Sequence, residues 1–176
     1  MADTTLRWTV VATVLSMLVA CSGDPGTGAV EVKWDRDICK RCNMVLSDRR
    51  HSAQVRYSPA GQRSQVYRFD DLGCAVLWLK EQDWRDAPGI EIWVNDHANG
   101  DWLDARKAHY VPGQITPMEY GLGAQTEATA DTLDFAGAIA HIEDIEKRFN
   151  VHGGHLEHAP AARRPAPSAP AEEQRK

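Results

Sequence analysis

Two cysteines and a methionine lie close together in the segment DICKRCNMVLSDRR, residues 37–50. Cys39 and Cys42 are separated by two residues, and Met44 follows two positions later. In an oxidising compartment such a cysteine pair forms a disulfide, a redox couple or part of a metal site. Monovalent copper prefers thiolate and thioether sulfur, whereas a thioether has no role in dithiol redox chemistry. The segment therefore favours a Cu(I) site, with a structural disulfide over a packed methionine as the alternative.

The other sulfur-containing residues are interpreted by their surroundings. Met118 lies in the loop-like segment TPMEYG, residues 116–121, which makes it a candidate thioether ligand; packing in the core is the alternative. Cys74 lies in an apolar helical pattern, and we interpret it as a small buried hydrophobic residue. Because there is no second Cys-x-x-Cys pair, a four-thiolate zinc site is excluded within one chain, and a Cys2His2 site remains arithmetically possible.

Histidines offer weaker candidates. His51 and His97 could each supply a nitrogen ligand, but nothing in the sequence selects either of them. The segment HGGHLEH contains three histidines that could capture Cu(II) or Zn(II) weakly, although a solvated linker is the favoured interpretation: His152, His155 and His158. No nucleophile–base motif or phosphate-binding loop is present, so the sequence does not support catalysis.

The elements that must position these residues predict an α+β fold. Residues 51–57 and 64–69 have the composition of a strand hairpin, and residues 89–96 form a further strand with three apolar side chains on one face. Residues 100–111 fit a short strand, a helical turn and another strand, whereas residues 112–125 are interpreted as a loop. We expect helices to cover one face of a mainly antiparallel sheet.

Two helices are predicted from apolar spacing and capping residues. Asp70 and Asp71 are expected to begin a helix that continues to about Gln82, and helix capping explains this carboxylate pair better than acid–base chemistry. The clearest helical pattern covers residues 131–149, with Asp131 as the capping residue at its start.

The ends of the chain predict export and membrane attachment. Residues 1–20 resemble a secretory signal, and LVAC, which ends at Cys21, resembles the lipobox of bacterial lipoproteins, in which the cysteine carries the lipid. Residues 21–30 are expected to be a flexible tether, residues 31–150 the domain, and residues 151–176 a disordered His/Pro/Ala-rich tail. The formal net charge of −5 argues against a nucleic-acid partner.

Three sequence blocks together resemble the NosL family, the accessory lipoproteins of nitrous oxide reductase maturation. They are CKRCNM, YRFDDLGCAVLWL and DARKAHYVPGQITPMEYGLGAQ, and they occur in the family's order behind the lipobox. The resemblance implies a periplasmic Cu(I)-binding chaperone that serves nitrous oxide reductase with the NosDFY complex. Ser22 follows the lipobox cysteine and, by resemblance to Gram-negative lipoproteins, permits sorting to the outer membrane. The family resemblance also implies an α+β fold of two related β-rich modules, similar to part of an organomercurial lyase.

The resemblance also implies the copper ligands. Cys42 is the first expected ligand, followed by Met118 and Met44, while Cys39 is expected to be an auxiliary or redox-protective thiol. The chain departs from the family's motifs where glycine is common: Asn43 and Glu119. Asparagine tolerates left-handed backbone angles and can keep the turn.

Two other functions compete with the copper chaperone. A lipoprotein thiol–disulfide oxidoreductase would use Cys39 and Cys42, although no thioredoxin-like βαβ pattern precedes this pair. A purely structural tethered module would dock a partner enzyme, would bind no metal and would be indifferent to both cysteines.

Overall fold

The computed structural model describes residues 24–149. The expected signal segment, the lipidation candidate Cys21, the His/Pro/Ala-rich tail and its three histidines lie outside the described residues. Within residues 24–149, none of the helices combines the length and the apolar character that crossing a bilayer requires.

The larger sheet has four antiparallel strands, whose bounds confirm the strands expected from the sequence, including the hairpin of the first two: β1 Ala53–Tyr57, β2 Gln65–Phe69, β3 Glu91–Asn95 and β4 Trp102–Asp104. In the sheet they lie in the order β2-β1-β3-β4. Alternate apolar residues on β3 are buried, as the period-two pattern predicts. β2 ends at Phe69, immediately before the two aspartates, so the sheet fixes where that acidic pair begins.

The smaller sheet pairs β5, His109–Pro112, with β6, Leu122–Gln125, in antiparallel register. The prediction of a loop through residues 112–125 is therefore wrong at its end. Gly123 lies within β6, and a Cβ at this position would lie 2.9 Å from side-chain atoms of both His97 and Gln114. The glycine is needed because these neighbours approach a strand closely.

Two helices complete the α+β fold and confirm the predicted class. Helix α1 spans Leu72–Lys80 and packs against the larger sheet, and helix α2 spans Phe135–Phe149 and packs against α1 and β5. Every residue of α1 from Leu72 to Leu79 is buried, so this helix is the centre of the molecule.

The helix starts differ from the predicted ones by a few residues. Asp71 is the N-cap of α1, and its side chain accepts a hydrogen bond from the Gly73 N–H. In α2 the capping contact comes from Asp134, whose Oδ1 accepts from the Gly137 N–H at 2.7 Å, and not from Asp131. The reason is that Leu133 pairs with Tyr110 of β5, so Leu133 is held by that strand and the helix begins only after it.

Residues 24–30, assigned by composition to a flexible tether, are hydrogen-bonded to the larger sheet. Asp24 forms a two-pronged ion pair with Arg56, whose side chain is fully buried in β1, and the Gly28 carbonyl accepts from Arg56 Nε. Val30 exchanges hydrogen bonds with the Gln54 side chain. The fixed part of the chain therefore includes Asp24, because the buried polar groups of β1 need these partners.

Candidate metal centre

The Cys-x-x-Cys segment forms a tight turn. The Cys39 N–H donates to the Met44 carbonyl at 2.8 Å, and the Asn43 N–H donates to the Cys39 carbonyl at 3.1 Å. Asn43 has a φ of 62°, which is the left-handed angle expected for this position. The turn places both cysteine side chains on the inner side of the loop, against the start of α1.

The start of α1 supplies two further donors. Asp70 lies just before the N-cap Asp71, and Cys74 lies in the first turn of α1; the fold brings both side chains beside the cysteine turn. The sulfurs of Cys39, Cys42 and Cys74 and a carboxylate oxygen of Asp70 all lie within 4.8 Å of one another, and we call this group the thiol cluster. Cys39 and Cys74 are fully buried, Cys42 is partly exposed, and all three are free thiols. The side of the cluster at Cys42 is therefore accessible from solvent.

Hydrogen bonds make the three thiols chemically different. The pKa of Cys39 is lowered to about 7, mainly because the Cys74 thiol donates a hydrogen bond to its sulfur; the N–H groups of Cys42 and Asp70 also donate to it. Burial raises the pKa of Cys42 to about 12, and its thiol donates to Asp70 Oδ2 at 3.1 Å. The bond donated to Cys39, together with burial, raises the pKa of Cys74. Cys39 is therefore the thiol that ionises first.

The Asp70 carboxylate is only half satisfied. Asp70 is 2% exposed, and its Oδ2 accepts a hydrogen bond from the Cys42 thiol. Oδ1 is buried and has no hydrogen-bond partner within the described part of the chain. A buried carboxylate oxygen is unfavourable without a hydrogen bond, a proton or a cation. This oxygen is therefore a donor that a cation at the cluster would satisfy.

The Thr-Pro-Met loop, residues 116–118, is hydrogen-bonded to the start of α1. Asp71 Oδ2 accepts from the Met118 N–H at 3.3 Å, and the Thr116 side chain also bonds to this carboxylate. Burial raises the pKa of Asp71 to about 6. Glu119, the other departure from glycine, has a φ of 59°, so the chain keeps the left-handed turn with a non-glycine residue.

A second contact holds this loop beside the cysteine turn. Arg41 Nη1 lies 3.3 Å from the Tyr120 hydroxyl, and Arg41 Nη2 forms an ion pair with Glu146 of α2 at 2.9 Å. The Tyr120 hydroxyl in turn donates to Glu146 Oε2 at 2.7 Å. The cysteine turn, the loop and α2 are thereby connected.

The predicted ligands differ in whether they belong to the thiol cluster and in how exposed they are. Cys39 and Cys42 belong to the thiol cluster. Met44 is in the same turn and is 49% exposed, whereas Met118 is 8% exposed in the loop bound to Asp71. Coordination by either thioether stays a prediction, as does the ranking of Cys42 ahead of Cys39.

Sequence reasoning missed Cys74 and Asp70 as donors. Cys74 is buried, as expected of a small hydrophobic residue, but its sulfur also belongs to the thiol cluster. Only Asp71 of the acidic pair caps the helix, whereas Asp70 accepts from Cys42. The available signal was the four-residue spacing of Asp70 and Cys74 at a helix start.

The two candidate histidines inside the domain are engaged elsewhere. His51 Nδ1 lies 2.8 Å from Asp48, and His97 Nε2 lies 3.3 Å from Gln125 Oε1. Neither belongs to the thiol cluster, which within residues 24–149 consists of three cysteines and one aspartate.

Three clustered thiols beside a half-satisfied carboxylate give this α+β protein a sulfur-rich group that could hold a metal ion. Thiolate donors suit soft and borderline ions such as Cu(I) and Zn(II). A scan against protein families matches the NosL family over residues 30–149, and the chain belongs to this family. Membership indicates a copper-binding accessory protein. A search of the curated proteins found no match.

Proposed function

We propose that the protein is a Cu(I)-binding metallochaperone that supplies copper for the maturation of nitrous oxide reductase, acting with the NosDFY complex. The observation that carries this proposal is the thiol cluster in a chain of the NosL family. In the same proposal, a lipid on Cys21 tethers the chain to the periplasmic face of the outer membrane. Acyl chains anchor without a spanning helix.

Cys42 is the principal copper ligand in this proposal, with the thioethers of Met118 and Met44, and Cys39 is the auxiliary thiol. Cys42 is the partly exposed member of the cluster, so a ligand from an acceptor protein can reach its side of the ion. Cu(I) accepts low coordination numbers, which leaves room for that incoming ligand. Neutral thioethers add sulfur without adding charge, and this favours release.

Competitive titration with a chromophoric Cu(I) chelator under reducing conditions tests the binding step. One tightly bound Cu(I) is expected, with binding lost in Cys42→Ser and weakened in Met118→Leu, which keeps the volume of the buried side chain but removes the sulfur. Val45→Ala is the matched control, because Val45 is exposed in the same turn and carries no donor atom. Undiminished binding in Cys42→Ser would refute the ligand assignment.

Delivery is tested in cells that lack the protein. Nitrous oxide reductase from these cells is expected to contain less copper, and wild-type chain should restore it. Cys42→Ser should fail to restore it even when it is produced at the wild-type level. Full restoration by Cys42→Ser would show that copper delivery does not require this site.

A thiol–disulfide oxidoreductase is the second candidate, favoured by the lowered pKa of Cys39 beside a second thiol. Such an enzyme would form a reversible Cys39–Cys42 disulfide and would reduce a model disulfide substrate without copper. Turnover that is independent of copper, and is lost in Cys39→Ser, would favour this function over the chaperone.

A further inference from the structure

The chain enters the domain at one end of the β1–β2 hairpin. Tyr57 of β1 lies opposite Gln65 of β2, and we call the end of the hairpin formed by residues 57–65 the hairpin tip. The two-pronged ion pair with Arg56 holds Asp24, the first described residue, beside this tip. The N-terminal part of the domain is therefore fixed to the hairpin tip.

Residues 24–30 run from the hairpin tip towards the opposite end of β1. The Gly28 carbonyl accepts from Arg56, near the tip, whereas Val30 is bonded to Gln54, two residues closer to the other end of the strand. This direction means that the chain passes from the tip into the sheet.

The connection between the hairpin tip and the proposed lipid is short. Cys21 is three residues before Asp24, so even a fully extended backbone spans at most about 11 Å between their Cα atoms. Acyl chains on Cys21 would insert into the bilayer and bring that residue to its surface. Asp24 and the hairpin tip would then lie next to the lipid headgroups.

One side of the hairpin tip is polar. A hollow of about 730 Å³ lies beside Asp24, and its polar side chains at the tip are Ser58, Gln62, Arg63 and Ser64. Arg63 is exposed, and a guanidinium group matches the oxygens of a phosphate group. This side of the tip therefore suits contact with phospholipid headgroups.

The other side of the hairpin tip carries aromatic rings. Tyr57 stacks on Trp84 with the ring centroids 4.1 Å apart, and both residues are half-buried. Trp84 follows the end of α1 at Lys80, so the helix returns to the tip from the thiol cluster. Tyrosine and tryptophan are enriched where a bilayer meets water, because each combines an apolar ring with a polar group.

We propose that the hairpin tip, together with Trp84, rests on the phospholipid surface and holds the domain upright, with the thiol cluster directed away from the membrane. β2 runs about 14 Å away from the tip before the chain reaches Asp70 of the cluster. This orientation rests on the lipid at Cys21, which is part of the proposed function. The cluster is thereby presented to acceptors in the aqueous compartment.

Resonance energy transfer from the protein to labelled lipids tests this orientation. The lipidated full chain is reconstituted in vesicles of phosphatidylethanolamine and phosphatidylglycerol that contain an acceptor on a lipid headgroup. Each donor dye is attached to an encoded azide side chain, because the cluster thiols would react with thiol dyes. Gln62 and Asp86, which are exposed at the two sides of the tip, are the test positions. Ile115, 95% exposed in the loop bonded to Asp71, is the matched control.

Transfer is expected to be stronger at Gln62 and Asp86 than at Ile115 by about twofold or more, since β2 alone separates the two ends by about 14 Å. Equal transfer at all three positions, or stronger transfer at Ile115, would overturn the proposal. Strong transfer at Gln62 alone would overturn the contact of the aromatic side.

Lengthening the connection tests why the tip is held at the surface. Twelve Gly/Ser residues inserted between Gly23 and Asp24 add an average reach of about 19 Å and change no residue of the tip. The excess of transfer at Gln62 over Ile115 is expected to fall by about half or more. An unchanged excess would overturn the role of the short connection.

Mass spectrometry of the chain extracted from membranes distinguishes failure of this orientation from failure of the proposed function. Absence of a lipid on Cys21 would overturn both the proposed tether and the orientation, whereas the Cu(I) titration does not depend on the lipid. A lipidated Cys21 with equal transfer at all three positions would overturn the orientation alone.

Discussion

Adding one methyl group to Gly73 should destabilise the region that supports the thiol cluster. A Cβ at Gly73 would lie 2.1 Å from Cδ2 of Tyr120 and 2.4 Å from two other atoms of the ring. Carbon atoms in favourable contact are about 3.5–4.0 Å apart, so the ring would have to move by more than about 1 Å. Tyr120 is fully buried and its hydroxyl is bonded to Glu146, so a simple ring displacement also strains that contact.

The expected magnitude for Gly73→Ala is a loss of about 1–3 kcal/mol in the free energy of unfolding, the range for overpacked sites. The better helix propensity of alanine offsets less than about 1 kcal/mol of this loss. With a urea dependence of about 2 kcal/mol per molar, a loss of 2 kcal/mol lowers the denaturation midpoint by about 1 M. Because Tyr120 also contacts Arg41 beside Cys42, metal affinity should fall with stability.

Urea denaturation followed by circular dichroism measures this effect. Gly137→Ala is the comparison for alanine in a helix: its Cβ would lie 3.2 Å from Asp134 Oδ1 and from Leu133 Cβ, a much milder approach, so its midpoint should fall less than that of Gly73→Ala. In a Tyr120→Ala background the added methyl meets no ring, so Gly73→Ala should then cost much less. A Gly73→Ala protein as stable as wild type would refute the packing described for α1 and Tyr120.

Three further predictions concern the contacts around the domain. Asp24→Asn should lower the urea midpoint at neutral pH, because it removes the ion pair with Arg56. Arg56 lowers the pKa of Asp24, so the stabilisation from this pair is complete above about pH 4 and is lost as the pH falls through the lowered pKa. The urea midpoint of the variant should lack this acid-dependent loss. Asp71→Ala should cost about 2–3 kcal/mol in unfolding free energy, because it removes the helix cap and leaves the buried Met118 N–H unpaired, whereas Asp71→Asn should retain much of it. A double-mutant cycle between Arg41→Ala and Glu146→Ala should give a coupling of about 1 kcal/mol, and a coupling of zero would contradict a working link between the cysteine turn and α2.

Sequence patterns predicted the elements whose burial follows a simple period. The hairpin of residues 51–69, the β3 strand and the two helices were all recognised from apolar spacing and capping residues. β6 was missed because Gly121 and Gly123 are turn formers by composition, while the pairing of β6 with β5 is a tertiary contact. The cap was predicted at Asp131 and lies at Asp134, because the pairing of Leu133 with Tyr110 is not visible in the local sequence.

The site was predicted in part for a similar reason. Cys39 and Cys42 are close in sequence, and their Cys-x-x-Cys spacing identified them as site candidates. Cys74 enters the cluster only because α1 packs beneath the cysteine turn, so its apolar surroundings pointed to simple burial. Asp70 was assigned to helix capping with Asp71, and only the fold separates the two carboxylates by orienting one towards backbone N–H groups and the other towards Cys42.

X-ray absorption of the reduced, Cu(I)-loaded full chain tests the central claim, that this centre holds copper through sulfur, most directly. The edge should show monovalent copper, and the first shell should contain two or three sulfur neighbours and no oxygen from Asp70. Cys42→Ser should lose sulfur from that shell or fail to load. A first shell dominated by nitrogen or oxygen, or one unchanged in Cys42→Ser, would contradict the account.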